Sequence, residues 1–161
     1  MKSFYRTGFV MLLTTLAVVM GAQQGFASEK PLAEDGTIDL IRGNGIVDCT
    51  FKFETGQWRL SHNNDGCSND VNKAFRLNNV PSATTFILAD SGACLQDENF
   101  WYEFKTIKYE TTTDVIWLAS IVSLEDGAVV TPGLRLIKKI IKPGDPEIEG
   151  KLSCLKIIRS E

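Results

Sequence analysis

Apolar and polar side chains alternate along much of this chain beyond position 36, and a period of two belongs to strands with one buried face. Ile38-Asp39-Leu40-Ile41 reads as a short strand, closed by the turn-forming run Arg42-Gly43-Asn44-Gly45. Cys49-Thr50-Phe51-Lys52-Phe53 alternates, Thr55-Gly56-Gln57 turns the chain, and Trp58-Arg59-Leu60 starts another extended piece. Ala74-Phe75-Arg76-Leu77 and Thr84-Thr85-Phe86-Ile87-Leu88 follow, the second rich in β-branched and aromatic residues. Phe100 to Ile107 is the expected partner of that strand across the Asp90-Ser91-Gly92 turn. Val129–Pro132 and Leu134–Ile141 flank a Pro132-Gly133 turn, and Leu155-Lys156-Ile157-Ile158 makes a terminal strand. Asp114–Leu124 fits two patterns: a helix capped by Asp114 with Trp117, Ile121 and Leu124 on one stripe, or an extended piece. Short strands between turn signals, without alternating long helices, predict an all-β sandwich with at most one short helix.

The first 27 residues have a different pattern. Lys2 and Arg6 precede an apolar run from Phe9 to Ala22, and the segment closes on Gly25-Phe26-Ala27. This is the pattern of a secretory signal peptide cleaved after Ala27, and the run is shorter than the roughly 20 residues a membrane span needs. Ser28–Gly36 is polar, contains Pro31 and reads as a flexible N-terminal arm. Residues 37–161 then form one β-sandwich domain, with halves at about 37–80 and 81–161. About 134 residues after cleavage suffice for one domain with a real core. The expected destination is the periplasm or the cell exterior, with no membrane span after processing.

Loss of residues 1–27 would remove Lys2 and Arg6 from the 17 basic residues and none of the 20 acidic ones, taking the net charge from −3 to about −5. Nucleic-acid binding needs a basic face, and the one basic cluster, Arg135–Lys139, alternates with apolar residues and reads as an ordinary strand edge. An acidic surface favours a basic protein partner. All four cysteines, Cys49, Cys67, Cys94 and Cys154, follow the leader, and an even count in a small exported chain predicts a disulfide framework. Sequence alone leaves three pairings open.

The chemistry-bearing residues are few. His62 is the only histidine, and Cys67 five residues later has no thiolate to offer once oxidised. Asn63, Asn64, Asp65, Asn69 and Asp70 supply oxygens within one loop, but the loop lacks the helix–loop–helix calcium pattern and its terminal bidentate glutamate. Asn69 and Asp70 are the candidate metal ligands; no cofactor and no tight calcium site are expected. Asp97, Glu98 and Glu103 are the carboxylates nearest to a glycosidase pair, a chemistry defined by geometry rather than spacing. If Trp101 faces inward, Phe100 and Tyr102 face outward, and with the loop residues Asn63, Asn64 and Asp65 they are the expected partner contacts.

Two stretches share an order of elements. Ile38–Ile41, a Gly-rich turn, an aromatic strand, a long loop and Phe75–Leu77 are echoed by Phe86–Leu88, Asp90-Ser91-Gly92, Trp101–Phe104, a longer loop and Leu155–Ile157. Together with Ser68–Leu77 and the aromatic strand Phe100–Phe104, this resembles the beta/gamma-crystallin-like superfamily of double Greek keys over residues 37–160. The resemblance implies two similar Greek-key halves and proteins that bind calcium, serve as structural proteins or inhibit proteases. It implies a calcium site where an Asn-Asp pair precedes a fourth strand and a hydroxyl follows. Asn69-Asp70 fits, but Lys73 stands at the hydroxyl position; Ser153 falls near the second hydroxyl, where Glu149-Gly150 replaces the pair. The duplication favours pairing within halves, Cys49 with Cys67 and Cys94 with Cys154. The expected function is that of an exported, non-catalytic binding protein, such as a hydrolase inhibitor or a toxin- or host-directed factor. A structural or calcium-modulated envelope protein and a small carboxylate-dependent hydrolase are the alternatives.

Overall fold

Wherever the two-residue alternation is clear, the chain is extended. The computed structural model describes residues 36–61, 67–144 and 146–160. The leader, the arm except Gly36, and His62, Asn63, Asn64 and Asp65 lie outside the described residues. Ten strands follow in order: β1 (Thr37–Arg42), β2 (Val47–Lys52), β3 (Gly56–Arg59), β4 (Asn72–Asn78), β5 (Thr85–Ala89), β6 (Phe100–Thr106), β7 (Ile116–Trp117), β8 (Val129–Thr131), β9 (Leu134–Ile141) and β10 (Cys154–Ile158). The ambiguous segment resolves into both of its readings in miniature. Ile116–Trp117 is extended, and Leu118–Ser123 is a single 3₁₀ helix that takes Trp117, not Asp114, as its N-cap. Among the described residues no helix is long and apolar enough to cross a membrane.

The strands form two antiparallel sheets, ordered β2-β1-β4-β7 and β3-β10-β5-β6-β9-β8. Read from one edge, the smaller sheet runs β7-β4-β1-β2 and the larger one begins β3-β10-β5-β6. β3 leaves its chain neighbours to pair with β10, while β7 crosses back to pair with β4. The β8–β9 hairpin extends the larger sheet beyond β6, with β8 pairing only Leu134 and Arg135 of the longer β9. Its turn needs glycine: Gly133 has φ +97°, and a Cβ there would lie 2.7 Å from Thr111 Oγ1.

The inward faces meet in one apolar core. Ile38 and Leu40 of β1 and Phe75 and Leu77 of β4 oppose Phe86 and Leu88 of β5, Phe104 of β6 and Leu155 and Ile157 of β10, all fully buried. Phe86 lies at its centre, with ring centroids 5.5 Å from Phe53, 5.7 Å from Phe75 and 5.0 Å from Phe104. A second, smaller cluster covers the other face of the larger sheet: Ile87, Ala89, Cys94, Trp101 and Cys154.

That second cluster corrects one expectation. Phe100 and Tyr102 are not partner contacts; both point into the main core and are buried. Trp101 faces the opposite way, beneath the segment bridged by Cys94 and Cys154, and its indole N–H donates to the Cys94 carbonyl at 3.2 Å. Both faces of β6 are covered at this end, but the apolar parity is Phe100, Tyr102 and Phe104, while Trp101 shares its face with Glu103 and Lys105.

The disulfides are Cys49–Cys67 and Cys94–Cys154, with Cα atoms 5.2 and 5.4 Å apart, inside the range of bridged pairs. Non-reducing digestion should therefore release one peptide pair joining Cys49 to Cys67 and another joining Cys94 to Cys154; a Cys49–Cys154 linkage would contradict this architecture. Phe86→Ala should cost about 3–5 kcal/mol in urea unfolding, as expected for emptying a packed aromatic site. Tyr102→Phe should leave the midpoint unchanged or raise it, because the buried Tyr102 hydroxyl has no hydrogen-bond partner among the described residues.

Candidate functional site

Two surface regions bring chemistry together. The first lies where the loops entering β4 and β10 meet. Its anchor is Asp48 of β2, whose side chain is only 1% exposed. Asp48 accepts the Ser68 backbone N–H at 2.7 Å, the Asn72 amide at 3.1 Å and the Arg42 guanidinium. With the adjacent Cys49–Cys67 bridge, these bonds hold the start of the Ser68–Val71 segment against β2. Burial pushes the Asp48 carboxyl up, but the bonds from Ser68, Arg42 and Asn72 and the charge on Arg42 outweigh it and hold the group below its ordinary value. Asp48, Cys49 and Cys67 lie close together, yet the sulfurs are bridged and the carboxylate is engaged, so this group is a clamp rather than a metal site.

Beside it lies a polar cleft of about 300 Å³. Asp70, Asp90 and Glu98 bring carboxylates to it, and Arg59 and Lys151 bring cations. Asp70 accepts from the Ser153 hydroxyl at 3.2 Å and from the Asn69 amide at 2.8 Å, while Asp90 accepts from Asn99 at 2.6 Å. The sequence candidates Asn69 and Asp70 thus meet Ser153 across 83 residues of chain. Asn69 Oδ1 is buried without a partner among the described residues, the one feature that suits an ion. Both Asp70 oxygens are already hydrogen-bonded and two cations share the cleft, so the donor set fits calcium poorly. In the same loops, Lys73 Nζ lies 2.8 Å from Glu149 Oε2.

The carboxylates considered for hydrolysis do not gather. Glu98 lines the cleft, Asp97 is exposed and absent from its walls, and Glu103 lies mid-strand in β6 opposite Ile87 and Lys138.

The second region is a groove of about 330 Å³ that brings together residues of two edge strands, β7 of one sheet and β8 of the other. Val115, Ile116, Trp117, Leu124 and Val130 supply apolar walls, and Asp114, Ser120 and Thr131 polar ones. Trp117 is 40% exposed, and Val129 nearby on β8 is 54% exposed. The 3₁₀ helix sets this geometry: Leu118 and Ile121 enter the core, while Ser120 Oγ donates to the Trp117 carbonyl at 2.6 Å. Lys139 bonds the Val122 carbonyl through Nζ, and its backbone N–H donates to Asp126 at 2.8 Å. The sequence left Trp117 either on a helical stripe with Ile121 and Leu124 or in an extended piece; it lies in β7 between buried Ile116 and Leu118.

Asp39 resembles Asp48 electrostatically. Burial raises its carboxyl, but hydrogen bonds from Arg76, Thr50 and Asn78, with the charge on Arg76, bring it below the ordinary value of 3.8. Carboxyls lowered in the folded state contribute stability that is complete above the unfolded value and lost as the pH falls toward the folded one. Melting temperature should therefore fall as the solution is acidified from about pH 5 to pH 3. Asp48→Asn should melt lower at neutral pH but lose less over the same interval; a slope equal to that of the wild type would contradict the role assigned to Asp48.

No family model, curated protein or solved structure matches this chain.

Proposed function

We propose that this chain is an exported, non-catalytic binding protein that engages a protein partner through the groove beside Trp117. The observation that carries the reading is the half-exposed Trp117 indole in an apolar trough joining two sheet edges. Large aromatic side chains beside a pocket are the usual anchors of protein interfaces, and edge strands leave backbone groups free to pair with an extended segment. Asp114 at the groove favours a partner segment with a basic residue next to an aliphatic one. The two disulfides suit an oxidising compartment, which agrees with the leader pattern of residues 1–27. A hydrolase inhibitor or a toxin- or host-directed factor falls within this class. The recurring strand order supports a pair of crystallin-like Greek-key halves as the scaffold. The hydrolase alternative loses support because Asp97, Glu98 and Glu103 are not gathered.

Two measurements test this reading. N-terminal sequencing of the exported protein should begin at Ser28. A display library of extended peptides, panned on the mature protein, should enrich an aliphatic residue next to Lys or Arg. Trp117→Ala should weaken the selected peptide about tenfold or more at unchanged melting temperature, and Asp114→Lys should shift selection away from basic residues. Selection that ignores both substitutions would remove the groove from consideration.

A further inference from the structure

The face of the larger sheet that turns away from the main core is covered at one end, where Ala89 and Trp101 pack with the Cys94–Cys154 bridge. Beyond that cover the strand registers set out two rows across the sheet. In one, Lys156 of β10 stands opposite Ile87 of β5, Ile87 opposite Glu103 of β6, and Glu103 opposite Lys138 of β9. In the next, Thr85 stands opposite Lys105, and Lys105 opposite Arg135. Ile87, Glu103, Lys105, Arg135 and Lys156 each alternate with buried core residues of their own strands, so they share the outer face. Lys138 joins them because the β6–β9 register shifts and leaves Ile137 as an extra residue. Without that bulge Arg135 and Lys138, three positions apart, would point to opposite faces.

Four cations thus share an open surface with one carboxylate, Glu103, in a chain whose charge is about −5 once the leader is lost. Lys105, Arg135 and Lys138 are exposed, and Lys156 and Glu103 are half-buried. Among the described residues none of these five side chains makes an ion pair or a hydrogen bond. Asp126 stands at the edge of β9, where it accepts the Lys139 backbone N–H at 2.8 Å. Neighbouring strands lie about 4.8 Å apart, so the three steps from β10 to β9 spread the cations over roughly 14 Å. Charges spaced in this way suit a thread of anionic groups laid across the strands. Trp101, the aromatic side chain of this face, is buried, so it offers no ring for a base to stack on. Ile87 is buried as well, which leaves the middle of the rows without the apolar side chain that insertion into a bilayer needs.

We propose that this face binds a linear anionic polysaccharide, with Lys105, Arg135, Lys138 and Lys156 meeting its sulfate or phosphate groups. Glu103, in the middle of the rows, weakens the attraction and keeps the complex sensitive to salt. The two disulfides suit an oxidising compartment, where charged polysaccharides are common linear polyanions. The inference rests on the registers and is independent of the Trp117 groove.

Heparin, a sulfated polysaccharide, is the probe; polyglutamate, a thymidine oligonucleotide and phosphatidylglycerol vesicles are the comparisons. Immobilised heparin should retain the mature chain at about 50 mM salt and release it by about 200 mM, the steep dependence expected when bound polyanions shed counterions. Arg135→Glu should weaken binding about tenfold. Lys52→Glu makes the same change of net charge at an exposed position on β2, in the other sheet, and should weaken it about twofold or less. Glu103→Gln should strengthen binding severalfold, and Trp117→Ala should leave it unchanged. Absence of retention at low salt would overturn the proposal, as would equal effects of Arg135→Glu and Lys52→Glu. Tighter binding to any of the three comparison polyanions than to heparin at equal salt would overturn it too. The substituted side chains are exposed or half-buried, so the variants should fold, and matching circular-dichroism melting curves check it.

Discussion

The Phe86 ring is the contact on which the two-layer arrangement turns. It meets Phe75 from the opposite sheet, Phe104 from its neighbouring strand and Phe53 from the connection between β2 and β3. Phe75 and Phe104 also touch each other, at 5.3 Å, so the cluster closes across the interface. Aromatic rings in tilted, edge and offset-stacked geometries fill such a space without needing polar partners. This leaves the charged side chains at the periphery. The polar cleft and the Trp117 groove are both built at margins of a core that contains little chemistry of its own.

β3 and β7 tie distant parts of the chain together: β3 pairs with β10 in the larger sheet, and β7 pairs with β4 in the smaller one. Both sheets share one core, so a loss of packing in one is felt in the other. Asp39 on β1 and its partner Arg76 on β4 add a hydrogen-bonded charge pair across adjacent strands, and Asp48 ties β2 to the loop that precedes β4. These bonds hold surface segments in fixed relation to strands whose inner faces are already committed.

Much of the strand pattern was legible because a period of two needs only local reading. Ile38–Ile41, Thr84–Leu88 and Leu155–Ile158 all became strands close to their expected limits. The facing of Phe100 and Tyr102 was legible in the strand's parity, since Phe100, Tyr102 and Phe104 alternate with Trp101, Glu103 and Lys105; what local reading misses is the disulfide-bridged segment that covers Trp101 on the polar side. Trp117 was hidden by an apolar run that satisfied a helical stripe and a strand equally well. Asn69, Asp70 and Ser153 were visible as residue types, but their meeting depends on the packing of segments 83 residues apart. The pairing of Lys73 with Glu149, 76 residues apart, has no local signature at all.

The place of β10 has a mechanical consequence. This strand does not close an edge; it sits inside the larger sheet, hydrogen-bonded to β3 on one side and β5 on the other. It also carries Cys154, whose partner Cys94 is 60 residues earlier. Peeling β10 away must therefore break two ladders together rather than one, and even then the bridge keeps the strand tethered to the segment it left.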